Sequence, residues 1–227
     1  MNAPDDLAGR VDDVFGRIAD AARAVDRDPG ELTTIVVTKF HPASLVAALY
    51  DLGMRDFGEN KHQEASAKAD ELVGLHGARW HFVGQLQSKK ARQVRRYASS
   101  VHSLDRDSVV RALADETGVI DGFVQVNLTD DQARGGVAEG DLERLVETVV
   151  ATPGILLRGV MAVAPLDEEP RSAFARLRVL SERVRAIDPS ADAVSAGMSH
   201  DFAEAIAEGA THLRIGTAIT GNRPDAR

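Results

Sequence analysis

The chain alternates short apolar runs with longer segments in which apolar residues recur every three or four positions. The first pattern is typical of buried strands and the second of amphipathic helices. Apolar residues at helical spacing from Leu7 to Val25 predict an opening helix, which Asp28-Pro29-Gly30 ends. Eight apolar runs then predict eight strands: Thr33–Lys39, Asp56–Glu59, Arg79–Gly84, Ser99–Asp105, Gly122–Asn127, Leu156–Val163, Ala193–Ser199 and His212–Thr217.

Each of the first seven predicted strands is followed by a helical segment, and a short tail follows the eighth. Strict alternation of strand and helix predicts parallel strands joined by right-handed crossovers. Eight such units in 227 residues predict an α/β fold, a closed (β/α)8 barrel of the TIM type with an extra N-terminal helix. We expect a single domain over residues 1–227, with residues 1–28 as a helix packed on the barrel. An open doubly wound sheet is the alternative, but no Gly-x-Gly-x-x-Gly follows the first predicted strand.

Composition and charge argue against several classes of function. The net charge of −8 disfavours nucleic acid or an anionic membrane as the main partner. The chain has no cysteine, its histidines lack metal-ligand spacing, and it carries neither an apolar run of membrane-spanning length nor a signal peptide. We therefore expect a cytoplasmic protein without a metal site. The basic run Lys89–Arg96 is the one candidate for binding nucleic acid, and the overall charge favours a solvated helix face instead.

Lys39 stands at the end of the first predicted strand, behind a run of β-branched residues. The chain has five lysines and 22 arginines, and the other four lysines, Lys61, Lys68, Lys89 and Lys90, lie in polar helical segments where an ammonium can remain in water. Burial at a strand end disfavours the charged form of an amine, and a neutral lysine can attack a carbonyl to form a Schiff base, which arginine cannot do. Taken alone, a strand-end lysine that reaches solvent is the simpler interpretation.

The other end of the chain carries the features of a phosphate site. Active sites of such barrels lie at the carboxyl ends of the strands, often with a phosphate site after strands seven and eight. Ser199 is expected to be the N-cap of a helix over residues 200–208, beside free backbone N–H groups. Gly216 lets the backbone approach a ligand, Thr217 adds a hydroxyl, and Arg214 on the same strand can point into the barrel mouth. An imine-forming lysine opposite such a cradle predicts pyridoxal 5′-phosphate as the cofactor.

Motifs along nearly the whole chain are similar to those of one known family. In order, they are Val37-Thr-Lys39, Phe57-Gly-Glu-Asn60, Trp80-His-Phe-Val-Gly84 with Leu86-Gln-Ser88, Val101-His-Ser-Leu-Asp105, Gly159-Val-Met-Ala162, Gly197-Met-Ser199 and Arg214-Ile-Gly-Thr-Ala-Ile219. The chain thereby resembles the pyridoxal-phosphate homeostasis proteins, single-domain relatives of the N-terminal barrel of alanine racemases. The resemblance implies that Lys39 carries the cofactor as a Schiff base, that Arg214 faces the pyridine nitrogen and that Asn60 lies near the ring.

The same resemblance implies a phosphate site and shows where this chain differs from its relatives. Ser199, Gly216 and Thr217 would hold the phosphate, with Met198 beside them. The chain departs from the family's pattern at Lys61-His62, Gln85, Lys89 and Arg134, and an arginine at the last of these positions cannot form a second imine.

Three functions remain open at this point. The first is a carrier that binds, buffers and hands on pyridoxal phosphate with little or no turnover, taking amino acids as further ligands and contacting apo-enzymes transiently. The second is an amino-acid racemase or another pyridoxal-phosphate enzyme of low activity. By the resemblance, racemases take one acid–base group from a tyrosine on an added C-terminal domain, whereas this chain ends at Arg227 and has only Tyr50 and Tyr97. The third, an RNA- or protein-binding barrel, rests on Lys89–Arg96 alone. We expect the first, as a monomer without catalytic residues.

Overall fold

A closed barrel of eight parallel strands forms the centre of the molecule. The structure, a computed structural model, describes residues 6–129 and 131–222, and both ends of the expected 1–227 domain, like Asp130, lie outside the described residues. The strands are β1 (Thr33–Val37), β2 (Asp56–Glu59), β3 (Arg79–Phe82), β4 (Ser100–Leu104), β5 (Ile120–Gln125), β6 (Ile155–Met161), β7 (Ala193–Ser195) and β8 (His212–Ile215). Each strand pairs in parallel with the next in chain order, and β8 closes on β1. The predicted barrel is therefore confirmed.

Helices alternate with the strands on the outside of the barrel. Within the described residues they are α1 (Leu7–Arg23), α2 (Ala43–Asp51), α3 (His62–Glu71), α4 (Ala91–Arg95), α5 (Asp107–Leu113), α6 (Leu142–Val150), α7 (Pro170–Ile187), α8 (Phe202–Ala207) and α9 (Thr217–Thr220). Their apolar stripes pack on the outer face of the strands, as in α6, where Leu142, Leu145, Val146 and Val149 are buried. Because the helices cover this face and side chains fill the interior, strands such as β4 are buried along their whole length.

The N-terminal helix covers the place where the barrel closes. In α1, Val11, Val14, Ile18 and Ala22 are buried, and the helix packs against α8 and α9. The short tail expected after the eighth strand is instead the four-residue helix α9, which is followed by Gly221. So short a helix covers little of the barrel, and α1 packs over this part of it.

The predicted bounds of β2 are exact, whereas the other seven predicted strands end too late, by as many as four residues in β7. Residues 38–39, 83–84, 196–199 and 216–217 follow the strands as turns, irregular segments or the start of α9. Thr38, Val83 and Ala196 still donate a backbone hydrogen bond to a neighbouring strand, although they lie beyond the strand ends.

Candidate functional site

A cavity of about 350 Å³ opens at the carboxyl end of the barrel. It is lined by all seven residues predicted to bind a cofactor: Lys39, Asn60, Met198, Ser199, Arg214, Gly216 and Thr217. They follow or belong to β1, β2, β7 and β8, which are far apart in the chain. Parallel strands bring their carboxyl ends to one edge of the barrel, and the side chains meet there for that reason.

Lys39 lies in a turn two residues beyond the end of β1. Its side chain is exposed and lines the cavity, so the burial expected at this strand end is wrong. The Nζ atom lies 5.9 Å from the centroid of the Phe40 ring, and the Nζ of Lys61 lies 5.2 Å from the same ring. Phe40 has a φ of +70°, a left-handed conformation that a bulky residue rarely adopts. The turn leaves the amine of Lys39 open to a carbonyl compound in the cavity.

The lysine that is buried is Lys68 on α3, which was expected to remain in water. It is 5% exposed, and its ammonium donates to the carbonyl of Thr38 at 2.8 Å, to Oε1 of Glu59 at 2.7 Å and to Oε1 of Glu64 at 2.8 Å. These bonds use all three of its N–H donors. The hydroxyl of Thr38 also donates to Oε1 of Glu59, at 2.7 Å. Burial raises the pKa of Glu59, although the hydrogen bonds from Lys68 and Thr38 act in the opposite direction.

These side chains hold the backbone on both sides of Lys39. Lys68 binds the carbonyl of the preceding residue, Thr38, and Glu64 accepts a hydrogen bond from the N–H of the following residue, Phe40, at 2.5 Å. A strained backbone conformation persists only where its surroundings fix it. We call Thr38, Glu59, Glu64 and Lys68 the Lys68 cluster; it fixes the turn that presents Lys39.

Ser199 lies in the cavity wall but does not cap a helix. The helix after β7 begins at Phe202 rather than at residue 200, and its N-cap is Asp201. The side chain of Asp201 accepts a hydrogen bond from the N–H of Met198 at 2.5 Å and so closes a turn ahead of the helix. Ser199 is displaced into this turn, where its Oγ accepts a hydrogen bond from the N–H of Ala218 at 3.4 Å. The predicted N-cap is therefore wrong, while the predicted place in the cavity is right.

The contact between Ser199 and Ala218 joins the two segments expected to form the phosphate cradle. Gly216 is the N-cap of α9, and Thr217 is its first residue. The N–H groups at the start of a helix have no acceptor within that helix. Backbone donors and the hydroxyls of Ser199 and Thr217 thus lie along one side of the cavity.

Asn60 forms the wall next to Lys39. Its Oδ1 is buried and has no hydrogen-bond partner among the described residues. A Cβ atom at Gly84, just beyond β3, would lie 2.2 Å from the carbonyl oxygen of Asn60. Only glycine therefore lets these two segments approach each other so closely. The arrangement leaves a buried acceptor at the cavity that a ligand could satisfy.

Arg214 lines the cavity from within β8. It is 6% exposed, donates through one terminal nitrogen to Oγ of Ser195 at 2.7 Å and through the other to the carbonyl of Ala162 at 2.8 Å, and has no ion pair among the described residues. Burial lowers the pKa of Arg214 to about 10, with the charge of Asp201 acting in the opposite direction. The guanidinium is therefore still positively charged at neutral pH.

The chain can be placed in a family by sequence. The model of the family described as alanine racemase, N-terminal domain, matches residues 18–224. The chain belongs to this family. It is 40% identical over 231 residues to a pyridoxal phosphate homeostasis protein of Mycobacterium tuberculosis, covering 91% of this chain and 89% of that protein. It is 38% identical over 224 residues to the protein of the same name in Pseudomonas aeruginosa, covering 96% of each.

A solved structure agrees with these relatives. PipY of Synechococcus elongatus, determined with PLP bound, superposes with a TM-score of 0.80 at 32% identity, covering 90% of this chain and 100% of that one. The resemblance inferred from sequence motifs is confirmed by the family match and by the curated relatives.

The structure adds cavity residues that sequence reasoning missed. They are Val37, Val83, Gly84, Val163 and His200. All but Val37 follow the ends of β3, β6 or β7, so the rule that barrel sites lie beyond strand ends could have found them. His200 is the exposed neighbour of Ser199. It was assigned to the first turn of a helix and was not considered as part of the site.

The basic run does not form part of the cavity. It comprises a short 3-10 helix, Ser88–Lys90, and α4, with Ala91 and Val94 buried. Arg95 is tied into the fold by hydrogen bonds to the carbonyls of Leu113 and Gly154, at 3.0 Å and 2.9 Å, while Lys89, Arg92 and Arg96 are exposed. This agrees with a largely solvated helix face. Among the described residues no helix is long and apolar enough to cross a membrane.

Proposed function

We propose that this chain binds pyridoxal 5′-phosphate in the cavity, through a Schiff base to Lys39, and buffers or delivers it with little or no catalytic turnover. The observation that carries the proposal is the convergence of one exposed lysine, one buried arginine and two hydroxyl-bearing segments on a single cavity. A 32%-identical protein of the same fold was solved with PLP bound, and curated relatives are named as pyridoxal phosphate homeostasis proteins.

The chemistry of the cavity fits this cofactor. A phosphate dianion would be held by the hydroxyls of Ser199 and Thr217 and by backbone N–H groups near Gly216, which are the donors that phosphates favour. The unpartnered Oδ1 of Asn60 offers an acceptor beside the place of a ligand. The cavity of about 350 Å³ lies within the range of small-molecule sites.

Lys39 would supply the covalent link, because an amine condenses reversibly with an aldehyde with loss of one water. Water would free the aldehyde again, and another amine would take the lysine's place, so such a link would suit a carrier. The exposure of Lys39 at the cavity leaves this bond open to amino acids and to the apo-enzymes that we propose as transient recipients.

Arg214 supports low turnover. Pyridoxal phosphate supplies an electron sink for amino-acid chemistry, and the sink is strongest when its ring nitrogen is protonated. A guanidinium that stays charged at neutral pH disfavours a proton on a nitrogen that it faces. Neither described tyrosine lines the cavity as an acid–base group: the hydroxyl of Tyr50 donates to a backbone carbonyl, and Tyr97 stacks on His62.

The link is tested by absorbance after incubation with pyridoxal phosphate, followed by borohydride reduction and peptide mapping. The purified protein should show a visible band, and the reduced label should lie on Lys39. Lys39→Arg keeps the positive charge but cannot form the imine, so it should lose the band, while Lys61→Arg, beside the same Phe40 ring, should retain it. A label found chiefly on Lys61 would defeat the assignment.

A further inference from the structure

Polar side chains lie inside the barrel where branched aliphatic residues usually fill such folds. His81 on β3 is 6% exposed and His102 on β4 is fully buried. The ring of His102 stacks on Phe123 with a centroid separation of 4.2 Å, and His212 lies edge-on to the same phenyl ring at 5.1 Å. Buried imidazoles are retained only where hydrogen bonds satisfy them. The two histidines on β3 and β4 are satisfied by one continuous set of contacts.

This set begins at the cavity. Arg214 donates to Oγ of Ser195 at 2.7 Å, and this Oγ lies 2.9 Å from Nδ1 of His102. On the other side of the ring, Nε2 of His102 lies 3.0 Å from Oγ of Ser100, which is 2.7 Å from Nδ1 of His81. Each hydroxyl thus bridges one residue to the next, and Nδ1 of His81 also lies 3.1 Å from Nε2 of His102, so the two rings are in direct contact as well.

The set ends at the opposite mouth of the barrel. Nε2 of His81 lies 2.8 Å from Oδ1 of Asp56, the first residue of β2. Arg79, the first residue of β3, holds the same carboxylate through Nε at 2.6 Å and through a terminal nitrogen at 2.5 Å. Burial alone would raise the pKa of Asp56, but the bonds from His81 and Arg79 outweigh it and lower the pKa to about 2. The contacts therefore run from the cavity to an ionised carboxylate at the other end.

The chemistry of the two ends fixes the outermost hydrogen bonds. Arginine can only donate and an ionised carboxylate can only accept, so Arg214 donates to Ser195 and Asp56 accepts from His81. Burial, together with the charges of His81 and Arg214, lowers the pKa of His102 well below its ordinary value. A neutral imidazole has one donor and one acceptor nitrogen, so the ring of His102 can link the contacts on its two sides.

We propose that this continuous set of hydrogen bonds fixes the orientation of the Arg214 guanidinium, which makes Asp56 a positioning residue for a cavity at the far end of the barrel. Arg214 has no direct carboxylate partner among the described residues, so its orientation depends on two neutral acceptors, Oγ of Ser195 and the carbonyl of Ala162. Hydrogen bonds in a low-dielectric interior polarise one another along a chain. The inference rests on the proposed function only where pyridoxal phosphate serves as the reporter.

The set of hydrogen bonds from Arg214 to Asp56 is tested first without any cofactor. Long-range ¹H–¹⁵N correlation spectra of the ¹⁵N-histidine-labelled protein should show His102 as a neutral ring with one protonated nitrogen. Ser195→Ala should shift the nitrogens of both the His102 and the His81 ring, although it touches only the first. Ser103→Ala removes an equally buried hydroxyl from β4 that has no partner among the described residues, and should shift neither. A doubly protonated His102 ring, or a response confined to His102 in Ser195→Ala, would overturn the proposed set of hydrogen bonds.

The second experiment asks whether this set of hydrogen bonds affects binding in the cavity. Ser195→Ala removes one of two hydrogen bonds to a charged group, so the dissociation constant for pyridoxal phosphate should rise by about tenfold or more. Asp56→Asn, at the far end of the set, should raise it by a smaller factor and move the visible band, while Ser103→Ala should do neither. If Asp56→Asn matched the control, Arg214 would not be coupled to the far end. Failure of the unmodified protein to bind the cofactor would refute the proposed function and leave the spectra of the histidines to decide the chain.

Discussion

Replacing Lys68 by methionine is the most severe test of how the site is built. The change removes three hydrogen bonds, two of them to carboxylates, and leaves Glu59, which is 1% exposed, without its positive partner. Methionine keeps the length of the side chain and therefore its packing. Removing one partner of a buried ion pair typically costs about 3–5 kcal/mol because the remaining charge stays buried and uncompensated. We expect Lys68→Met to lose stability in this range at neutral pH.

The loss should depend on pH in a defined direction. Burial already raises the pKa of Glu59, and without the ammonium of Lys68 the pKa rises further. A carboxyl whose pKa is higher in the folded state costs stability at high pH, and the cost disappears as pH falls through that folded pKa. Urea unfolding should therefore show a larger difference between variant and parent at pH 8 than at pH 5. Lys89→Met, at an exposed lysine, should show no such difference.

A second substitution separates charge from packing. Glu59→Gln in the Lys68→Met background removes the uncompensated charge, so the double variant should be more stable than the sum of the two single losses by about 2 kcal/mol or more. The local effect is measured by hydrogen exchange of the Phe40 amide. Glu64 accepts a hydrogen bond from this amide, and we expect the amide to exchange faster in Lys68→Met. Additive losses, or an unchanged Phe40 amide, would refute the Lys68 cluster as the support of this turn.

Three further outcomes follow from the site and its surroundings. Pyridoxal without its phosphate should bind at least about a hundredfold more weakly than the phosphorylated form, because several charge-assisted hydrogen bonds from Ser199, Thr217 and the Gly216 backbone are lost. Equal affinities for the two compounds would contradict the proposed phosphate site. With Arg214 at the cavity, α-protons of L- or D-alanine should exchange with deuterated water far more slowly than about 1 per second by NMR, and faster turnover would favour a racemase. Asp56→Asn should cost about 1–2 kcal/mol at pH 7, allowing for partial solvent screening. The cost should shrink as pH falls from 3.8 through about 2, because the lowered pKa of this carboxyl stabilises the fold only while the group is ionised. A pH-independent loss of stability in urea unfolding would contradict this.

The barrel could be predicted because its signals are local. Apolar runs separated by glycine and proline mark eight strands, and strict alternation with helices allows few topologies. The ends of the strands could not be predicted in the same way. In β7 only Ser195 pairs with β8, and the residues after it form a turn closed by Asp201. That turn depends on a side chain six positions further along, which apolar periodicity does not report.

The site was predictable to the extent that strand order determines it. Parallel strands bring Lys39 and Arg214 to one edge, so residues at strand ends could be assigned to a cavity from sequence. Contacts that join helices to strands were not predictable. The same holds for the hydrogen bonds that link His81 and His102 to Asp56 and Arg214, because they depend on the relative height of side chains on five strands. Sequence spacing does not contain that height.

The two lysines with the clearest roles occupy each other's expected environments, and this changes the account of reactivity. Lys39 is exposed, so desolvation of its amine does not explain why this lysine would form an imine. Lys68 is buried, and its Nζ is engaged in hydrogen bonds to Thr38, Glu59 and Glu64, so it is not accessible to a ligand in the cavity. The buried lysine fixes the strained turn and the exposed lysine stands on it. In the proposed function, reactivity would derive from position. A ligand whose phosphate is held after β8, the strand that pairs with β1, would present its carbonyl carbon to Lys39 with the advantage of an intramolecular reaction.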